Sequence, residues 1–167
     1  MAYSLVRAMC GDPVRRFVYI ANVRSILAKP ILTDHPVDVG QRSEGAILAQ
    51  FVRHGYRVLL PFGVNQRYDL VLDSGRGFSR VQCKTGRLRD GVIQFSAQSV
   101  QSNTACTRVK AYTGEVDLFA VYCPDNDRVY VIPAEEVPAT AMYLRVEPPR
   151  NRQRKGVRWA EDYVLSA

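Results

Sequence analysis

Apolar residues recur along this chain with two different spacings, and the change between them divides it. In "GQRSEGAILAQFVRHG", Ile47, Leu48, Phe51 and Val52 return every three or four positions, the repeat of a helix with one apolar face. The spacing predicts a helix from about Gln41 to His54, closed by Gly55 as a C-terminal cap. Glu44 stands three, four and seven positions ahead of Ile47, Leu48 and Phe51, so it shares their face. A carboxylate pointing inward needs a partner, because burying it bare is costly.

Beyond Gly55 the runs shorten and alternate. "YRVLLP" reads as a short strand, "YDLVLD" and "FSRVQCKT" as a hairpin about "SGRG", and "GVIQFS" as a fourth strand. "VDLFAVYC" turns through "PDND" into "RVYVIP"; a helical turn at "AEEVP", a strand-like "YLRV" and a basic tail complete the chain. Between these, "AQSVQSNTACTRVKAYTGE" is polar and predicts a surface connection. Residues 1–38 show no sustained period and end in the turn-rich "TDHPVD"; they read as an arm of unassigned role, with 39–167 as one domain.

Strand periodicity also places polar groups. Side chains two apart share a face, so Gln82 and Lys84 lie on one side of their strand and Val81 and Cys83 on the other. If the turn is Ser74–Gly77, Asp73 pairs with Phe78, and the same antiparallel register sets Asp69 beside Gln82 with Lys84 diagonally adjacent. Partners at ~5 Å between Cβ atoms allow an Asp oxygen and a Gln carbonyl to share a hard cation. With Glu44 descending on the same face, two carboxylates, an amide and a lysine meet at one spot. Taken singly, each residue has an ordinary role. Asp69 could cap the hairpin or pair with Arg67, Gln82 could be a sheet polar group, and Lys84 a solvated strand end. The combined spacing favours the shared site.

Composition narrows the class. A chain of 167 residues, 47% hydrophobic and 23% charged, can build one core and is neither disordered nor membrane-embedded. No apolar run approaches the ~20 residues of a membrane span. The N-terminal stretch has no apolar core followed by a small-residue cleavage site, so a cytoplasmic protein is expected. Cys10, Cys83, Cys106 and Cys123 are widely spaced and accompanied only by His35 and His54, which argues for free thiols over zinc or disulfides. Cys83 as a nucleophile lacks a placed histidine and reads as a core thiol.

A net charge of +7, with 23 Lys and Arg of which only four are Lys, favours a phosphate polymer. On that footing "NTACTRVKAYTGE" offers Asn103, Arg108, Lys110 and Tyr112 as a DNA-facing loop, a plain surface loop being the equal alternative. Arg87, Arg89 and Lys110 are candidate DNA contacts. So are Arg150, Arg152, Arg154, Lys155 and Arg158 in the tail, where Pro148 and Pro149 keep the start extended and Trp159 is expected to anchor the segment to the core. "SGRG" carries no phosphate-loop or dinucleotide fingerprint and reads as a turn.

The order of helix Glu, strand Asp and Q-x-K resembles the PD-(D/E)XK nuclease superfamily. "GQRSEGAILAQFVRHGYRVLLPFGVNQRYDLVLDSGRGFSRVQCKTGRLRDG" is similar to the branch that includes group I intron homing endonucleases, which likewise carries Gln where most relatives carry Asp or Glu. "YTGEVDLFAVYCPDNDRVYVIP" resembles the part that follows. The likeness spans roughly residues 39–163; the proline that precedes the family's Asp is absent, Arg67 and Tyr68 standing there. It implies an α/β, restriction-endonuclease-like core with a mixed central sheet flanked by helices. It also implies Glu44, Asp69, Gln82 and Lys84 as the catalytic set, with Glu44, Asp69 and Gln82 holding Mg2+ or Mn2+. The implied activity is metal-dependent hydrolysis of DNA phosphodiesters; cutting both strands with one site per chain would call for a homo-oligomer. A Holliday-junction-resolvase-like nuclease, a non-catalytic DNA-binding protein on this scaffold and a protein-interaction module are the alternatives.

Overall fold

The computed structural model describes residues 34–63, 66–102, 107–112, 114–148 and 156–166, without the side chains of 100–102 and 107–109. A helix, α1 (Pro36–Arg53), opens the described chain. It begins earlier than its periodicity suggests, because Pro36 fits the first helical turn and His35 caps it by accepting a hydrogen bond from the Val37 amide. It ends at His54, and Gly55 takes a left-handed φ of 80°.

Strands β1 (Arg57–Leu59), β2 (Leu70–Asp73), β3 (Phe78–Thr85), β8 (Leu118–Cys123) and β9 (Arg128–Pro133) form a five-stranded sheet in the order β1-β2-β3-β8-β9. The β3–β8 pair is parallel and the rest antiparallel, so the sheet is mixed. The β2–β3 register is the one the turn predicts: Asp73 pairs with Phe78 and Leu70 with Val81, and the Asp69 amide continues the ladder by donating to the Val81 carbonyl at 2.9 Å.

Helix α1 covers one face. Ile47 and Phe51 bury against Leu70, Leu72, Val81, Ala120 and Val129, each large side chain contributing roughly 1.5–3 kcal/mol by leaving water. Val52, expected on that stripe, is 58% exposed; the buried stripe runs instead through Ser43, Ile47 and Phe51. The other face is covered by a second sheet, β10 (Ala141–Arg145), β5 (Val92–Ser96) and β4 (Arg87–Arg89), through Ile93, Phe95, Met142 and Leu144. Thus, among the described residues, one α-helix flanks the central sheet and strands cover its opposite side. The polar stretch expected as a loop is a hairpin, β6 (Gln98–Ser102) with β7 (Thr107–Ala111), and β4 is a strand that three residues gave no sign of. No helix among the described residues is long and apolar enough to cross a membrane.

Candidate active site

Asp69 lies at the start of β2, half-buried, and one of its oxygens organises the neighbourhood. Oδ2 accepts from the Cys83 amide at 2.7 Å and from Gln82 Nε2. Gln82 is 8% exposed, and its Nε2 also donates to the Cys83 carbonyl at 3.3 Å. A buried amide whose donors are matched in this way fixes the side-chain direction of Asp69.

Glu44 and Asp69 line one cavity of about 320 Å³ with Leu60, Pro61, Gly63, Gln66 and Tyr68. They reach it from different sides. The helix packs on the face carrying Val81 and Cys83, whereas Gln82 and Lys84 point toward the face of Tyr112 and Phe119. Glu44 therefore does not descend on the Gln82–Lys84 face, as the sequence suggested; it meets Asp69 where β2 begins. The reason is the apolar stripe, which commits α1 to the face of Leu70 and Val81. A side-chain bond from Ser43 to Thr85, 2.7 Å between hydroxyl oxygens, ties the helix to the end of β3.

Electrostatics mark the same place. Burial raises the Asp69 carboxyl above the usual range, opposed by the Cys83 amide, the charge of Lys84 and the Gln82 amide. Burial also raises Glu44, and the Asp69 charge adds to it. Burial lowers the Lys84 ammonium to about 8, with Asp69 opposing and the charge of Arg67 assisting. Lys84 Nζ donates to the Gln98 carbonyl at 3.0 Å and the Tyr112 hydroxyl at 3.2 Å. Burial pushes the Cys83 thiol up, followed by the Asp69 and Glu44 charges, which disfavours the thiolate. Cys83 and Cys123 are free; Cys10 and Cys106 lie outside the described residues.

Four participants take roles at the site that the sequence did not indicate. Arg67 does not pair with Asp69. Its guanidinium binds Glu115, Ser99 Oγ at 2.6 Å and the Ala111 carbonyl at 2.8 Å. Tyr112 is buried beneath Lys84, where the sequence placed it in a surface loop. The Gln98 carbonyl and Ser43 complete the four. Arg67 and Tyr112 drew notice in the sequence for other roles, the first as a partner of Asp69 and the second in a DNA-facing loop.

Of the candidate DNA contacts, Arg87, Arg89 and Arg158 are exposed, and Lys110 is exposed but paired with Glu115. Arg150, Arg152, Arg154 and Lys155 lie outside the described residues, as does Asn103, and the Arg108 side chain is not described. The Trp159 segment is anchored: Trp159 forms a parallel bridge with Arg145, whose amide donates to the Arg158 carbonyl at 2.8 Å.

A helix-borne glutamate, an aspartate opening a strand and a Q-x-K on its hairpin partner define a nuclease-type core. The chain belongs to the PD-(D/E)XK endonuclease family, whose pattern it matches over residues 35–166. Among solved structures it is similar to a bacterial homing endonuclease, I-Ssp6803I, with 22% identity over 75% of this chain and 85% of that one and a TM-score of 0.61. That likeness concerns the fold. No curated protein matches the chain.

Proposed function

We propose that this protein is a divalent-metal-dependent DNA endonuclease in which Glu44, Asp69, Gln82 and Lys84 form the catalytic set. The observation that carries the proposal is the convergence on Asp69. Gln82 and the Cys83 amide bind its Oδ2, Glu44 shares its cavity, and the charge of Lys84 acts on it.

The donor set fits a hard cation. Two carboxylates line one cavity and each is raised by burial, Glu44 further by Asp69; a divalent ion relieves both penalties. Among the described residues no group of three His, Cys, Asp or Glu side chains gathers for a metal. The fit is therefore to an ion that keeps several waters, as Mg2+ does. Glu44 and Asp69 would hold it, and Gln82 would contribute its carbonyl oxygen in place of the amide nitrogen it now turns to Asp69. Bound there, Mg2+ or Mn2+ would polarise the phosphate and acidify a water. Asp69, fixed by two donors, sets the position of the phosphate relative to β3. Lys84 has neutral hydrogen-bond partners, so its charge stays available to offset the negative charge that builds on the phosphate oxygens. Hydrolysis forms one bond from water oxygen to phosphorus and breaks one to a sugar oxygen, which takes up a proton.

Supercoiled, linear and four-way-junction DNA, each with Mg2+ or Mn2+, test the activity. Asp69→Ala or Lys84→Ala should abolish cutting and leave DNA affinity within a few-fold of wild type. A Lys84→Ala protein that cuts at the wild-type rate would sink the assignment, and a preference for junctions would select the resolvase-like reading. Gln82 gives specific support to a second reading, a DNA-binding protein without catalysis, because a neutral amide leaves less negative charge for a cation. DNA bound but uncut in either metal would establish it. Cutting both strands with one site per chain calls for a homo-oligomer, and a cytoplasmic location belongs to the same proposal.

A further inference from the structure

The Lys84 ammonium is held by groups outside the Glu, Asp, Q-x-K pattern. Besides its bonds to the Gln98 carbonyl and the Tyr112 hydroxyl, Nζ lies 4.6 Å from the centroid of the Tyr112 ring. Tyr112 is itself braced. Its ring meets Phe119 edge-on at 5.6 Å, and the Arg67 guanidinium sits 4.2 Å from its centroid. Arg67 is fixed in turn by Glu115, Ser99 and the Ala111 carbonyl. Gln98 and Ser99 begin β6, Ala111 ends β7, and Gln98 pairs with Ala111. The base of this hairpin thus forms a seat for the lysine.

A tyrosine needed only to fill the core could be phenylalanine. Here the hydroxyl meets an ammonium on a long, flexible stem, which would otherwise sample many rotamers. Both acceptors are neutral, so they fix the lysine without neutralising it, whereas a carboxylate would compete with the phosphate. We propose that Tyr112, braced by Arg67, is a positioning residue that works with the Gln98 carbonyl to hold Lys84 toward the phosphate bound beside Asp69. The proposal rests on the nuclease reading and adds to it the residue that places the lysine.

The chain has four lysines, so a protein carrying 13C-labelled lysine gives a simple spectrum. The ε-CH2 resonance of Lys84, identified by its loss in Lys84→Arg, should lie apart from the others because of the Tyr112 ring. Tyr112→Phe keeps the ring and removes the hydroxyl, which accepts from Lys84 and also bonds Ser99; the released ammonium should leave the ring, and its resonance should move toward those of the other lysines. In cleavage, Tyr112→Phe should lower kcat on the order of tenfold, the scale of one hydrogen bond to a charged group. KM and DNA affinity should stay unchanged. A space-filling tyrosine predicts an unmoved resonance and a wild-type rate, and either result overturns the proposal. If the wild type cuts no DNA, the nuclease reading fails by itself, and the resonance alone decides whether Tyr112 holds Lys84.

Discussion

Asp69 is constrained more by its neighbours on β3 than by its own strand, and Gln82 is the neighbour that can be altered most informatively. Gln82→Glu sets a second carboxylate against Asp69 Oδ2 in place of an amide donor. Without metal the variant should be less stable by about 1–3 kcal/mol, the cost of a broken buried hydrogen bond. With metal the added charge should tighten binding. Calorimetric titration of Mg2+ or Mn2+ reads the second effect, and an unchanged affinity would remove Gln82 from the ligand set. Gly86 makes a different demand. A Cβ there would lie 2.8 Å from Ile93 Cγ2 and 3.0 Å from Val121 Cγ1, both buried. Gly86→Ala should destabilise by roughly 1–3 kcal/mol through overpacking, and a wild-type melting temperature would refute that. The Asp69–Gln82 pairing was legible in the sequence because a tight turn and a period of two fix an antiparallel register. Tyr112 was not: it acts on Lys84 across 28 positions, and no local pattern encodes a contact at that distance.

Among elements, legibility followed apolar content. The helix and strands β2, β3, β5, β8 and β9 announce themselves by buried side chains at regular spacing. The β6–β7 hairpin does not, since "QSVQS" carries a single apolar residue and owes its form to a partner strand and to the clamp at its base. That clamp is Arg67–Glu115–Lys110. Bonds from Lys110 first and Arg67 next hold the Glu115 carboxyl below its ordinary range. A carboxylate lowered by folding stabilises the fold above its unfolded pKa, near 4.5, and the gain is lost as pH falls through that value toward the lower folded one. Melting temperatures measured from pH 7 down to pH 3 should therefore fall more steeply for wild type than for Glu115→Gln. Parallel curves would show that the clamp adds nothing to stability.

For the whole molecule, the +7 charge is the property most open to measurement. Arg158 and Trp159 are fastened to β10 through Arg145. If Arg152, Arg154 and Lys155 each meet a phosphate, changing all three to Ala should flatten the plot of log affinity against log salt by about 2.7 units, at ~0.9 per contact. An unchanged slope would show that the run does not touch the backbone. The second covering sheet could not be read in advance, because it depends on a pairing between distant strands, β5 with β10.

The position of β3 has a consequence for how the site can fail. This strand carries Gln82 and Lys84 and is hydrogen-bonded on both sides, to β2 antiparallel and to β8 parallel. Those of its amides that donate within the ladders can exchange with deuterium only when a ladder opens, and Val81 and Val121, at the centre, are fully buried. Amides of β3 and β8 should be the slowest in the molecule to exchange, at rates set by global unfolding. Chemistry and fold then share one fate. In rising denaturant, cutting should disappear at the midpoint where the far-ultraviolet signal does, with no folded but inert species in between.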